Sequence, residues 1–357
     1  MPNSVLLIGN GFSIDYVDYI LPDSQIDLRQ LAPPPSWVDQ KVGCIAGTDR
    51  EAPLWSGDRY PMLFKSWDAY QKAEPSASFH DYCSFLASER AYASSSGEVA
   101  ASSLSVFGGS SRLQLRQYLW RLFCAYDERA RDHMRVELTH FLEWRYSWLI
   151  NQLLNQGSLL VISYNYDVFL EHTLASLGAN FVVPTSNFAR YVELPNSRRV
   201  CIFKPHGSIS IANQGIAGCE GDANWFVGSC DVSGATHVRY PPGKSLPALP
   251  GVVPPGHDLD HEAYFGQQMQ RAIHDAIGSS DLFVTVGFSA SGADEKEFRS
   301  LCNAIHARQR VVAVGVSEFG DQENSCAVIL RGAAASVDAN YDWIDANELS
   351  WEGCSTA

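Results

Sequence analysis

The most constraining feature of this sequence is a set of short, almost wholly apolar runs, most of which stop abruptly at small or polar residues. Val5-Leu6-Leu7-Ile8 ends at Gly9-Asn10-Gly11, Leu159-Leu160-Val161-Ile162 at Ser163, and Leu282-Phe283-Val284-Thr285-Val286 at Gly287. Val311-Val312-Ala313-Val314 is a fourth such run. Unbroken apolar runs of this length suit strands covered on both faces, as in a parallel sheet. Helical stripes lie between them. Phe265, Met269, Ala272, Ile273, Ala276 and Ile277 share one face, and so do Phe298, Leu301, Cys302 and Ile305. Val168 to Leu177 reads as a short helix closed by Gly178. This alternation predicts an α/β fold: a doubly wound, mostly parallel, Rossmann-like sheet.

Two stretches interrupt the pattern. The sheet core is expected over residues 1–20 and 157–345, and residues 21–156 as a mainly helical insertion or lid domain. The insertion begins Pro-rich at Pro33-Pro34-Pro35 and carries a Ser/Gly tract from Ser94 to Ser111, which fits a lid as well as an unstructured linker. It closes with two expected helices. Leu115, Leu119, Leu122, Phe123 and Tyr126 line the first; Leu138, Phe141, Leu142, Tyr146, Leu149 and Leu153 line the second. Trp120, Trp144 and Trp148 on this pair have two readings, packing on the chain's own core or on a second copy, and a homo-oligomer is expected. Residues 208–258, rich in Gly and Pro, read as long loops.

Composition narrows the class of partner. Forty acidic against 26 basic residues give the 357-residue chain a net charge of −14, which repels nucleic-acid backbones and anionic membranes. No stretch approaches the roughly 18–20 apolar residues that span a bilayer. Met1-Pro2-Asn3-Ser4 has no basic, apolar leader character. Nine cysteines with no C-x-x-C pattern point to reduced thiols. A cytoplasmic protein is expected, without direct nucleic-acid or membrane binding and without a bound metal. His257 and His261, four residues apart, read as a solvated helix start in preference to a metal pair.

Four strand-end motifs carry the candidate chemistry. Gly9-Asn10-Gly11-Phe12-Ser13 can bring backbone N–H groups close to a phosphate, or be an ordinary tight turn; Ile14 replaces the third glycine of a dinucleotide fingerprint. Ser163-Tyr164-Asn165-Tyr166-Asp167 offers an amide able to hold a ribose hydroxyl or a water, while Asp167 is well placed to cap the following helix. Lys204-Pro205-His206-Gly207-Ser208 presents an imidazole between proline and glycine, a setting suited to acid/base work. Gly287-Phe288-Ser289 precedes Asp294 and Glu297, which have capping-box spacing. Gly287-Phe288-Ser289-Ala290-Ser291 lacks the second glycine of a nucleophile elbow, and Gly243-Lys244-Ser245 lacks the first glycine of a phosphate loop.

In this order the four motifs resemble the sirtuin-like superfamily, most closely its bacterial branch of NAD-hydrolysing antiviral-defence proteins. The resemblance covers roughly residues 1–20 and 157–320. It implies NAD as substrate, with Asn165 holding the nicotinamide ribose or the attacking water and His206 as general base. It implies NAD contacts from Gly9, Asn10, Gly11, Phe12, Ser13, Tyr164, Asp167, Gly287, Phe288 and Ser289, and from Val316 and Ser317 toward the adenine ribose. The deacylases of the superfamily carry paired C-x-x-C motifs and a Pro-Asp-Phe-Arg segment; here Cys219 and Cys230 stand without such pairs, and only Pro22-Asp23 remains of the segment. The GNGF, NYD and HGS segments are also similar to an abortive-infection family of bacterial proteins. The expectation is therefore an NAD glycohydrolase acting as a regulated defence effector, with a regulatory partner such as an ATPase or nuclease subunit. The alternatives are a non-catalytic sensor of NAD or ADP-ribose derivatives, a structural subunit with a degenerate pocket, and an NAD-dependent deacylase.

Overall fold

The computed structural model describes residues 2–42, 52–79, 81–83, 85–86, 104–134, 138–184, 188–192, 199–213, 225–227, 249–252, 266–289, 293–315 and 325–349. Ten strands are formed among them: β1 (Ser4–Ile8), β2 (Leu159–Ser163), β3 (Asn180–Val182), β4 (Arg199–Phe203), β5 (Gly207–Asn213), β6 (Trp225–Val227), β7 (Leu249–Val252), β8 (Leu282–Val286), β9 (Arg310–Gly315) and β10 (Asn340–Asp345). The helices used below are α1 (Asn10–Ile20), α2 (Trp37–Val42), α3 (Pro61–Ala73), α4 (Leu104–His133), α5 (Leu138–Glu143), α6 (Arg145–Gln156), α7 (Phe169–Ser176), α8 (Phe188–Val192), α9 (Gly266–Ser279), α10 (Ala293–Cys302) and α11 (Ser325–Ser336).

Seven strands form one sheet in the order β10-β9-β8-β1-β2-β4-β3, every neighbouring pair parallel. The four apolar runs are β1, β2, β8 and β9, and Val5, Leu6, Leu7 and Ile8 of the central strand are fully buried. Helices cover both faces, which is why these strands carry apolar residues at successive positions. The fold is thus α/β with a mostly parallel, Rossmann-type sheet, and α1 to α6 lie between its first two strands. From β1 the chain builds outward to β2 on one side and later to β8 on the other. Such a reversal opens a crevice beyond the carboxyl ends of the strands, where open α/β sheets bind ligands.

Three regions differ from the sequence reading. Residues 208–258, expected as loops, contribute β5, β6 and β7, an antiparallel sheet ordered β6-β5-β7. Its strand β5 alternates Ser208, Ile209, Ser210 and Ile211, all buried, so no solvent-facing polar row reveals it. Helix α4 covers this sheet, with Arg116 Nε donating to Val252 O at 2.8 Å and Trp120 Nε1 to Ile209 O at 3.3 Å. The Ser/Gly tract is helical from Leu104 onward. Buried Ser111 donates its hydroxyl to Met62 O at 3.1 Å, a tertiary anchor that outweighs weak local propensity. Ser94 to Ser103 lie outside the described residues.

The expected helix from Leu138 to Leu153 is two helices, α5 and α6, parted at Trp144. Trp144 is buried against Phe12 and Tyr16, and its indole donates to Asp15 Oδ2 at 2.6 Å, holding its backbone extended. Leu142, read as a core position, is 42% exposed. The short strand β3 and the polar strand β10 carried no legible signal. Buried side chains of the insertion, such as Leu115, Leu122 and Trp144, belong to the same hydrophobic cluster as β1 and β2. Among the described residues, no helix is long and apolar enough to cross a membrane.

Candidate functional site

The site is assembled from four turns at the carboxyl ends of β1, β2, β4 and β8. The first and last interlock backbone to backbone. Gly9 N–H donates to Val286 O at 3.0 Å and Gly11 N–H to Gly287 O at 2.8 Å. A Cβ on Gly9 or Gly11 would lie 2.8 Å from atoms of the Gly287–Phe288 turn. Gly287 itself has φ +58°, and a Cβ there would meet Phe12 N at 2.4 Å. Close backbone contact therefore dictates this glycine spacing whether or not a ligand is bound. It also uses the Gly11 amide inside the protein, leaving Asn10 as the exposed residue at the start of α1.

Asn165 closes the next layer. Its Nδ2 donates to Gly9 O at 2.9 Å and to Ser13 Oγ at 2.7 Å, and the side chain is buried. Because a peptide carbonyl can only accept, the Gly9 contact fixes which end of the amide is nitrogen. Both amide hydrogens are then used. The chemistry left to Asn165 is that of an acceptor, through Oδ1.

His206 faces this turn from the end of β4. Its ring meets the Tyr164 ring edge-on at 5.0 Å and lies 6.5 Å from Tyr166. Tyr164 also packs on Phe288 at 5.0 Å, and Phe288 on Phe298 at 5.1 Å. The polar partner comes from α10: Tyr164 O–H donates to Glu297 Oε1 at 2.7 Å, and Glu297 Oε2 lies 3.8 Å from His206 Nε2. Glu297, which the sequence suggested only as a capping partner of Asp294, thus also faces the imidazole from α10.

Beneath these residues lies a buried ionic cluster. Lys204, 1% exposed, donates from Nζ to Asp167 O at 2.7 Å and to Ser208 Oγ at 3.1 Å. Its ammonium also stands 2.6 Å from Glu171 Oε1 as an ion pair, outside hydrogen-bond geometry. Asp167 Oδ1 accepts the Phe169 N–H at 3.1 Å, so it meets the first residue of α7 from one position before the helix cap, Val168. Burial raises the Asp167 carboxyl above its usual pKa, against the lowering influence of Lys204.

The structure thus brings together Gly9, Gly11, Ser13, Tyr164, Asn165, Asp167, His206, Gly287 and Phe288. Phe12 points into the core against Trp144 and Tyr146, and Ser289 is exposed, its carbonyl accepting from Ser325 Oγ. Val316, Ser317, His257 and His261 lie outside the described residues. Among the described residues no group of three or more His, Cys, Asp and Glu is placed to share a metal. Sequence reasoning assigned no role to Lys204 or Glu171 and gave Glu297 only a capping one. A lysine two positions before the histidine was the one available signal for the buried cluster.

Comparison with known proteins bears on this segment. Residues 159–225 match the family described as "SIR2-like domain". No curated protein matches the chain. A solved structure described as "Structural Basis for the Mechanism and Regulation of Sir2 Enzymes" aligns over 98% of this chain and 89% of that chain, at 13% identity and a TM-score of 0.33, too loose to bear on the site. The match supports the sirtuin-like superfamily reading, and the segment that carries both Asn165 and His206 is similar to SIR2-like domains.

Proposed function

We propose that this site hydrolyses the nicotinamide–ribose bond of NAD: NAD and water give nicotinamide, ADP-ribose and a proton. The observation that carries the reading is the convergence of Asn165 and His206, from two different strand ends, within a segment similar to SIR2-like domains. Sirtuin-like enzymes use NAD as substrate. Nicotinamide leaves as a neutral molecule from a cationic precursor, so its departure needs no acid. What the reaction needs is a positioned water and stabilisation of positive charge growing on the ribose.

The side chains suit those demands. Asn165 Oδ1, the one free hydrogen-bonding capacity of its amide, accepts from a ribose hydroxyl or from the attacking water. His206 removes a proton. The Glu297 carboxylate, beside His206 Nε2 at 3.8 Å, supplies negative charge near the developing cation. A water-excluding wall is available in Tyr164 and Phe288. An unrestrained NAD hydrolase would deplete its own cell, so the activity is that of a regulated defence effector. Control would reach the site through α4, whose Phe123 packs on Tyr166 at 5.4 Å.

The first test is chromatographic: nicotinamide and ADP-ribose released from NAD by wild type, His206→Ala and Asn165→Ala, with NAD binding measured by calorimetry on the same samples. Release by wild type and its loss in both variants is the expected result. Undiminished turnover in both variants would defeat the mechanism, and saturable binding with no release under any activating condition would leave a sensor. For the regulated part, NAD loss should require phage challenge; equal loss with and without it would remove that part.

A further inference from the structure

We propose that Lys204 is a positioning residue that fixes the Asn165 turn against the His206 turn, an inference that deepens the NAD-cleavage reading and rests on it for the catalytic test. Its side chain is enclosed, so it cannot touch a substrate. Its hydrogen bonds go instead to the two turns that carry the chemistry. One reaches Asp167 O, two residues past Asn165; the other reaches Ser208 Oγ, two residues past His206.

Ser208 continues the connection. Its hydroxyl lies 3.0 Å from Tyr166 O and donates there, and the Ile209 N–H donates to the same carbonyl at 3.0 Å. The loop holding His206 is therefore pinned to the Asn165 loop from both of its flanks. Glu171, from α7, balances the ammonium charge at 2.6 Å and ties the arrangement to the helix that follows. An apolar residue at position 204 could fill the space but could not bridge the two turns. Reacting groups displaced by about 1 Å lose on the order of 10²-fold in rate, so this bridge is worth that much to catalysis.

The test uses the double variant Lys204→Met/Glu171→Leu, which removes both members of the ion pair together, an exchange that proteins often tolerate, and leaves Asp167 without the Lys204 ammonium. The expected result is a cooperative thermal transition with kcat for nicotinamide release lowered about 10²-fold and the calorimetric Kd for NAD nearly unchanged. Ser208→Ala, a smaller change, should lower kcat about 10-fold in the same pattern, and it decides the matter if the double variant fails to fold. Wild-type kcat in either folded variant overturns the proposal. If the wild-type protein itself releases no nicotinamide, the NAD reading fails separately. The positioning claim is then read from the His206 ring resonances in isotope-labelled protein: displaced or multiple signals support it, and unchanged signals in a folded variant reject it.

Discussion

The two ends of the parallel sheet both bury polar side chains, yet they do different things with them. At the amino end, Gln309 Nε2 donates to Ile277 O at 2.7 Å, to Ser280 Oγ at 2.8 Å and to Ser280 O at 3.1 Å, closing the exit of α9. Asn3 and Ser158 exchange hydrogen bonds and join the starts of β1 and β2. These groups are neutral; the buried Gln309 amide serves backbone carbonyls that would otherwise be orphaned, while the Asn3–Ser158 pair lies toward solvent. His274, Asp275, Ser279 and Ala304 line a groove at this end, where burial holds His274 below its usual pKa. The groove does not coincide with the strand-end site.

At the carboxyl end neutral side chains such as Ser13, Asn165 and Ser208 are joined by buried groups that are charged or titratable: Asp167, Glu171, Lys204 and His206. Asp167 Oδ2 and Glu171 Oε2 make no hydrogen bond. Burying charge is costly unless it is compensated, so a concentration of it at one edge marks where the fold gives up stability for arrangement. Burial of polar atoms alone does not separate a site from a seam.

Substitutions at the two ends should therefore part company. The largest effect expected is on turnover: His206→Ala should lower NAD cleavage by about 10²–10⁴-fold with little change in thermal midpoint, measured by nicotinamide release and calorimetry. Lys204→Met alone strands Glu171 and should cost about 3–5 kcal/mol in denaturant unfolding. At the opposite end, Gln309→Ala should cost about 1–3 kcal/mol while turnover per folded molecule stays at the wild-type value; a large loss of turnover there would erase the distinction.

Two glycines sharpen the point at smaller scale. Gly178, with φ +68° at the end of α7, has open space around it, so Gly178→Ala should cost only the left-handed conformation, about 1–2 kcal/mol. Gly287→Ala meets the start of α1 and should both destabilise more and impair NAD cleavage, compared in unfolding and activity assays side by side. The smallest effect belongs to Leu142. Because it is exposed, Leu142→Ala should shift stability by no more than about 0.5 kcal/mol.

The sequence by itself determined the parallel core, because a strand covered on both faces must be apolar at successive positions, and Val5–Ile8 and Val311–Val314 are. It also marked the candidate site, since Gly9, Asn165 and Gly287 follow such runs directly or within a few residues, and His206 follows the apolar Val200–Phe203. Three things were decided by tertiary structure alone. The β5 sheet needs partners distant in the chain, and its buried serines hide it from any apolar pattern. The break at Trp144 is imposed by Phe12, Tyr16 and Asp15, residues about 130 positions away in a segment that gives no local helix stop. The roles of Glu297 and Lys204 are the third. A carboxylate on α10 reads as a solvated or capping residue until the fold sets it 3.8 Å from an imidazole, and a lysine reads as surface until the fold encloses it. Local pattern records burial and turn chemistry; which charges meet is a property of long-range packing.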